Sequence, residues 1–129
     1  MKKNFKKLQG PKIFTLVFGS NWTGDVPVSS GTGAGNTSTI NSDEGVATSA
    51  ALTTAAGAIA TVTVTNNRVK ATSIVKATIS GTTATTGIPV LVSAVPTTNT
   101  LTIKILNADG AAAFNGTVSV SFSISQPIV

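Results

Sequence analysis

Three stretches of this sequence alternate apolar and hydroxyl-bearing residues with a period of two, and that spacing restricts the chain to pleated strands that bury one face. Residues 59–66 place Ala60, Val62 and Val64 on one side and Thr61, Thr63 and Thr65 on the other. Residues 100–106 turn Leu101, Ile103 and Ile105 inward and Thr102 and Lys104 outward. Residues 117–124 repeat the pattern with Val118, Val120, Phe122 and Ile124 against Thr117, Ser119, Ser121 and Ser123. A helix would spread these apolar residues around its whole circumference, so the alternation excludes it.

Weaker strand signals fill the intervals. Residues 46–54 read as a strand broken by Ala55-Ala56-Gly57-Ala58, and residues 69–80 contain another around Ile74-Val75-Lys76-Ala77-Thr78-Ile79. Residues 88–95 are strand-like, with Pro89 marking a beginning or an edge because it has no N–H to give a ladder. Asn66-Asn67, residues 81–87, Pro96-Thr97-Thr98-Asn99 and Asn107-Ala108-Asp109-Gly110 carry the turn chemistry between them. Strands at this spacing predict an all-β chain, an antiparallel β-sandwich or jelly roll of about seven to eight strands, with an extended N-terminal arm. The division expected is a basic, aromatic-bearing arm with a Gly/Ser/Thr-rich linker over residues 1–45 and a β-sandwich domain over 46–129. Outward faces built of Thr and Ser, where a solitary sandwich shows Lys and Glu, point to an assembled protein.

Charge is distributed unevenly. The chain of 129 residues has 9 Lys+Arg against 4 Asp+Glu, a net +5. Lys2, Lys3, Lys6, Lys7 and Lys12 precede every acid, and from residue 13 onward four cations meet four acids. A helix over the first residues would stack Lys2 on Lys6 and Lys3 on Lys7, which opposes it. Phe5, Phe14, Phe18 and Trp22, four of the six aromatic residues, lie in the same region. The candidate partner-binding residues are therefore Lys2, Lys3, Phe5, Lys6, Lys7, Lys12, Phe14, Phe18 and Trp22. Lysines interleaved with aromatics suit an acidic, grooved protein surface or single-stranded nucleic acid. Protein is favoured, because the body adds no basic face to extend a nucleic-acid footprint. Residues 13–18 are strongly β-prone and would make a strand on any edge offered to them.

Membrane and export readings find little support. No apolar run approaches the ~18 to 20 residues of a spanning helix. The apolar segment after the lysines ends in Gly19-Ser20-Asn21-Trp22, too early for a secretory signal, and the acid and long apolar helix that follow a type IV prepilin leader are missing. An adhesin of the bacterial surface would need such a signal. The lack of cysteine fits any redox compartment.

The inventory for chemistry is short. Without His or Cys there is no imidazole base, thiol nucleophile or zinc set. The carboxylates are Asp25, Asp43, Glu44 and Asp109, and the adjacent Asp43 and Glu44 point to opposite sides of an extended segment rather than forming an acid/base pair. Lys70, Lys76 and Lys104 have no Ser-x-x-Lys arrangement. Gly31-Thr32-Gly33-Ala34-Gly35 lacks the Gly-Lys-Ser/Thr ending of a phosphate cradle and reads as a tether. No enzyme activity, catalytic residue, metal or cofactor is expected.

Residues 50–129, about sixty per cent of the chain, resemble small β-sandwich virion proteins of tailed bacteriophages, in the segments Ala51-Leu52-Thr53-Thr54-Ala55-Ala56-Gly57-Ala58, Val64-Thr65-Asn66-Asn67-Arg68-Val69-Lys70-Ala71-Thr72-Ser73-Ile74-Val75, Thr86-Gly87-Ile88-Pro89-Val90 and Ala113-Phe114-Asn115-Gly116-Thr117-Val118. The resemblance implies a non-enzymatic, usually trimeric module on the virion, decorating the head or forming part of a fibre. The expectation is a capsid decoration or cement protein at the capsid surface, binding the major capsid protein or another virion protein through its arm and associating with itself as a homotrimer. The alternative is a tail-fibre or receptor-binding module that recognises the host surface.

Overall fold

A computed structural model of the chain describes residues 28–30 and 36–128. Eight strands follow one another: β1 Val28–Ser30, β2 Thr37–Thr39, β3 Glu44–Thr48, β4 Ile59–Thr65, β5 Ile74–Thr82, β6 Pro89–Thr97, β7 Thr100–Asn107 and β8 Val118–Ser125. They form two four-stranded sheets, ordered β1-β3-β8-β5 and β2-β4-β7-β6. The described residues contain no helix. This is the β-sandwich that the alternation predicts, and the three clean alternating segments become β4, β7 and β8.

Two features depart from the sequence reading. The strands β1 and β2 lie inside the region read as linker, so the sandwich begins well before residue 46. Each is three residues long and pairs in parallel, β1 with β3 and β2 with β4. Their sequences, Val-Ser-Ser and Thr-Ser-Thr, are too short and polar to show a pattern, and only pairing to a longer neighbour defines them. The remaining pairs are antiparallel.

The core lies between β4 and β7 on one side and β8 on the other. Val62, Val64, Leu101, Ile103, Val118 and Val120 are wholly buried, and Phe114 and Phe122 close the layer. Each such side chain stabilises the fold by about 1.5–3 kcal/mol relative to exposure. Gly45 in β3 is set by this packing. A Cβ there would come within 2.8 Å of Ile40 Cγ2 and 2.9 Å of Phe122 Cζ, so the ring of Phe122 fills the space that any other residue would need. At Gly116 the obstacle is backbone, Ala84 N and Cα at 2.6 Å, and cannot give way.

The two ends of the sandwich are held by buried asparagines. At one end Asn66, just past β4, donates its Nδ2 to Ser42 O and accepts from Arg68 N, while Ile40 N donates to Thr65 O. At the other, Asn107 at the end of β7 accepts from Ile88 N and Asp109 N and donates to Thr54 O and Ala112 O. Asp109 then folds the loop, its carboxylate accepting from Ala111 N and Ala112 N. These amides, Ala112 first, hold its pKa below the usual carboxylate value.

Candidate docking surfaces

With the inner faces committed to the core, the outer face of each sheet is what the body offers a partner. Register fixes both. On the sheet β1-β3-β8-β5, the β8 serines form the floor: Ser123 lies between Glu44 and Lys76, and Ser121 between Val46 and Thr78. Serine is short, so the strand between taller neighbours makes an open groove of about 410 Å³, lined also by the strand at Phe122 and Ala77. Thr48 Oγ1 and Ser119 Oγ share a hydrogen bond of 2.8 Å at its upper end. The acid on one wall and the cation on the other give the groove no net sign.

On the sheet β2-β4-β7-β6 the outer face is read in rows across three strands. Thr65, Thr100 and Thr97 form one, Thr63, Thr102 and Val95 the next, and Thr61, Lys104 and Ser93 the third. The fourth row, Ile59, Leu106 and Val90, is aliphatic throughout. Ile59 is 52% exposed, Val90 42%, Val92 49% and Ile88 54%. Val92 joins the face because β6 carries a bulge there: Leu91 opposes Ile105, the next paired residue is Ser93 opposite Lys104, and Val92 is the extra residue between them.

A second groove of about 490 Å³ runs beside the first half of β4, between it and residues 50–55. It forms because β2 pairs only with Thr63–Thr65 of β4, leaving Ile59–Thr61 without a strand on that side.

Electrostatics add little to any of these surfaces. Among the described residues the one ion pair is Arg68 Nη1 with Asp43 Oδ2 at 3.9 Å, both side chains about 60% exposed, an arrangement of small energetic weight. Asp43 and Glu44 are both exposed at the start of β3. No group of three or more His, Cys, Asp or Glu able to hold a metal occurs among the described residues, and no helix there is long and apolar enough to cross a membrane.

The residues singled out in the sequence as partner-binding, Lys2, Lys3, Phe5, Lys6, Lys7, Lys12, Phe14, Phe18 and Trp22, lie outside the described residues. What the sequence reading did not single out is the aliphatic row. Its signal is a failure of alternation: Ile59 precedes an alternating strand with an apolar residue on the polar side, Leu106 follows Ile105, and Val90-Leu91-Val92 runs unbroken. Comparison with family models, curated proteins and solved structures returned no match for the chain.

Proposed function

We propose that this protein is a virion structural protein of a tailed bacteriophage, a capsid decoration or cement protein that binds the head shell through its N-terminal arm and associates with itself, most simply as a homotrimer. The observation that carries the reading is the segregation of charge: five of nine cations stand in the first 12 residues among aromatic anchors, ahead of a segment in which cations and acids balance. A neutral sandwich with hydroxyl-lined faces suits a subunit that packs among others, and a basic, aromatic arm suits an acidic, grooved protein surface such as that of a capsid subunit. The resemblance of residues 50–129 to phage virion proteins supports the same role.

In this reading the mechanism is binding. Residues 13–18 supply a strand whose main chain pairs with an exposed edge on the shell, Phe14, Phe18 and Trp22 fill pockets beside it, and the lysines neutralise acids around it. Deletion of residues 1–18 tests this. The truncated protein is expected to keep the far-ultraviolet β signature and cooperative melting of the sandwich and to lose binding to heads stripped of the native protein. Full occupancy by the truncated protein would refute the arm's role. Binding to host cells with none to stripped heads would favour the fibre or receptor-binding alternative.

A further inference from the structure

We infer that the aliphatic row on the outer face of β4, β7 and β6 is the contact by which one copy of this chain packs against another. The inference rests on the self-association in the proposed function and assigns it to a surface. Ile59, Leu106 and Val90 lie side by side in register, with Ile88 two residues before Val90 on the same strand line and Val92 lifted onto the face by the bulge. Together they leave on the order of 300 Å² of aliphatic surface in one place, the size at which a patch on a single molecule marks an interaction site. A standard interface takes ~800 Å² from each partner with an apolar centre and polar rim. The adjoining Thr61, Ser93, Thr63 and Thr102 provide such a rim without charge, leaving Lys104 as the one ionised residue on these rows.

The occupant is a second copy, for two reasons. The described residues contain four cations, Arg68, Lys70, Lys76 and Lys104, against three acids, Asp43, Glu44 and Asp109, so two bodies approach with almost no repulsion. The apolar segment 13–18 of the same chain is badly placed to cover its own patch. Val28 pairs with Val46 near the start of β3, at the sandwich end where Ser42 meets Asn66. The patch lies at the opposite end, where Ile88 and Asn107 are joined, and on the other sheet near the far edge. The nine residues 19–27 span at most ~30 Å, which a path along and around a sandwich of seven-residue strands and two sheets ~10 Å apart uses up.

Edge pairing is the competing route to self-association, and the long edges are built against it. The strand β6 has Pro89, Pro96 and the Val92 bulge, and β5 has Lys76 and a bulge between Ile79 and Gly81. Face packing leaves those devices undisturbed.

The test measures solution mass by light scattering for the full chain, for Val90→Lys, for Ile59→Lys and for the chain lacking residues 1–18. Both substitutions are at exposed positions, and circular dichroism with thermal melting establishes that the variants fold. The full chain is expected to run as an oligomer of its 12.9 kDa subunit. Either lysine variant is expected to weaken association at least tenfold, and the truncated chain to associate as the full one does. A monomeric full chain, or folded lysine variants with unchanged association, overturns the inference. Dissociation on truncation alone overturns it too and makes the arm the occupant. Head binding is read separately: loss of self-association with heads still bound weakly by the arm leaves the proposed docking intact, whereas an oligomer that ignores heads overturns that docking and leaves the interface.

Discussion

Asn107 shows how a residue written as a turn in the sequence becomes a structural centre. It is 2% exposed, and its one amide satisfies four backbone groups from three segments: the N–H of Ile88, the carbonyl of Thr54, and the N–H of Asp109 and carbonyl of Ala112 in its own loop. Asn66 does similar work at the other end with Ser42 and Arg68. Asparagine suits both places because one side chain presents two donors and an acceptor at fixed geometry. Replacing Asn107 with Ala leaves Ile88 N, Asp109 N and Ala112 O without this partner in a part-buried region, while Thr54 O keeps the N–H of Phe114, and unsatisfied groups of this kind cost about 1–3 kcal/mol each when fully buried. Allowing for partial rehydration, Asn107→Ala is expected to lower stability by about 3 kcal/mol in urea denaturation, whereas Asn115→Ala, which frees two exposed N–H groups of Thr85 and Thr86, is expected to cost under about 1 kcal/mol because water replaces the lost acceptor. Equal losses would show that Asn107 acts as an ordinary turn residue. The turn signal at 107–110 was legible from the sequence, but the burial of its first side chain was not, since that depends on Thr54 and Ile88 converging from distant positions.

At the scale of elements, legibility followed regularity. The strands β4, β7 and β8 keep one register along their length, so their buried faces could be read from alternation alone, and Leu101, Ile103, Ile105, Val118, Val120 and Phe122 fall where it puts them. The strand β6 could not be read this way because its bulge changes parity midway. Leu91 faces inward opposite Ile105, and after Val92 it is the even positions Ala94 and Pro96 that oppose buried Ile103 and Leu101. A bulge is invisible to a period-two pattern except as an interruption. The outer patch is hidden for the same reason, since Val90, Leu91 and Val92 form one unbroken apolar run. The parity argument has a consequence for deletion. Removing Val92 joins Leu91 directly to Ser93, the residues already opposite Ile105 and Lys104, so the strand becomes regular with Leu91, Ala94 and Pro96 still inward, whereas removing Val95 from the regular part puts Pro96 opposite Thr102 and Thr97 opposite buried Leu101. Deletion of Val92 is expected to cost under about 1 kcal/mol, while deletion of Val95, which flips the inward face beyond it, should cost about 2 kcal/mol or more. Thermal melting of the two variants checks this. A Val92 deletion as costly as that of Val95 would mean that Val92 is not a spare residue in the strand.

At the scale of the whole molecule, the proposed function and the inferred interface together give the chain two kinds of attachment that respond differently to salt. On the proposed function, contact with the shell depends on Lys2, Lys3, Lys6, Lys7 and Lys12 meeting acids at a solvated surface, and such contacts are screened as the Debye length falls from about 10 Å at 0.1 M to about 3 Å at 1 M salt. On the inferred interface, copies meet through Ile59, Leu106, Val90 and their neighbours, with no ion pair to screen, and apolar contact is not weakened by added salt. Exposed charge contacts contribute up to about 1 kcal/mol each, so five of them lost together should weaken head binding by roughly ten- to hundredfold over that range. Aromatic anchoring by Phe14, Phe18 and Trp22 would persist and set the residual affinity. Raising sodium chloride over decorated heads is therefore expected to release the protein as oligomers rather than as single chains, which sedimentation of the heads followed by light scattering of the supernatant reads directly. Release as monomers would place the salt-sensitive contact between copies, and undiminished binding in high salt would remove the lysines from the docking mechanism, leaving the aromatics and strand pairing to carry it alone.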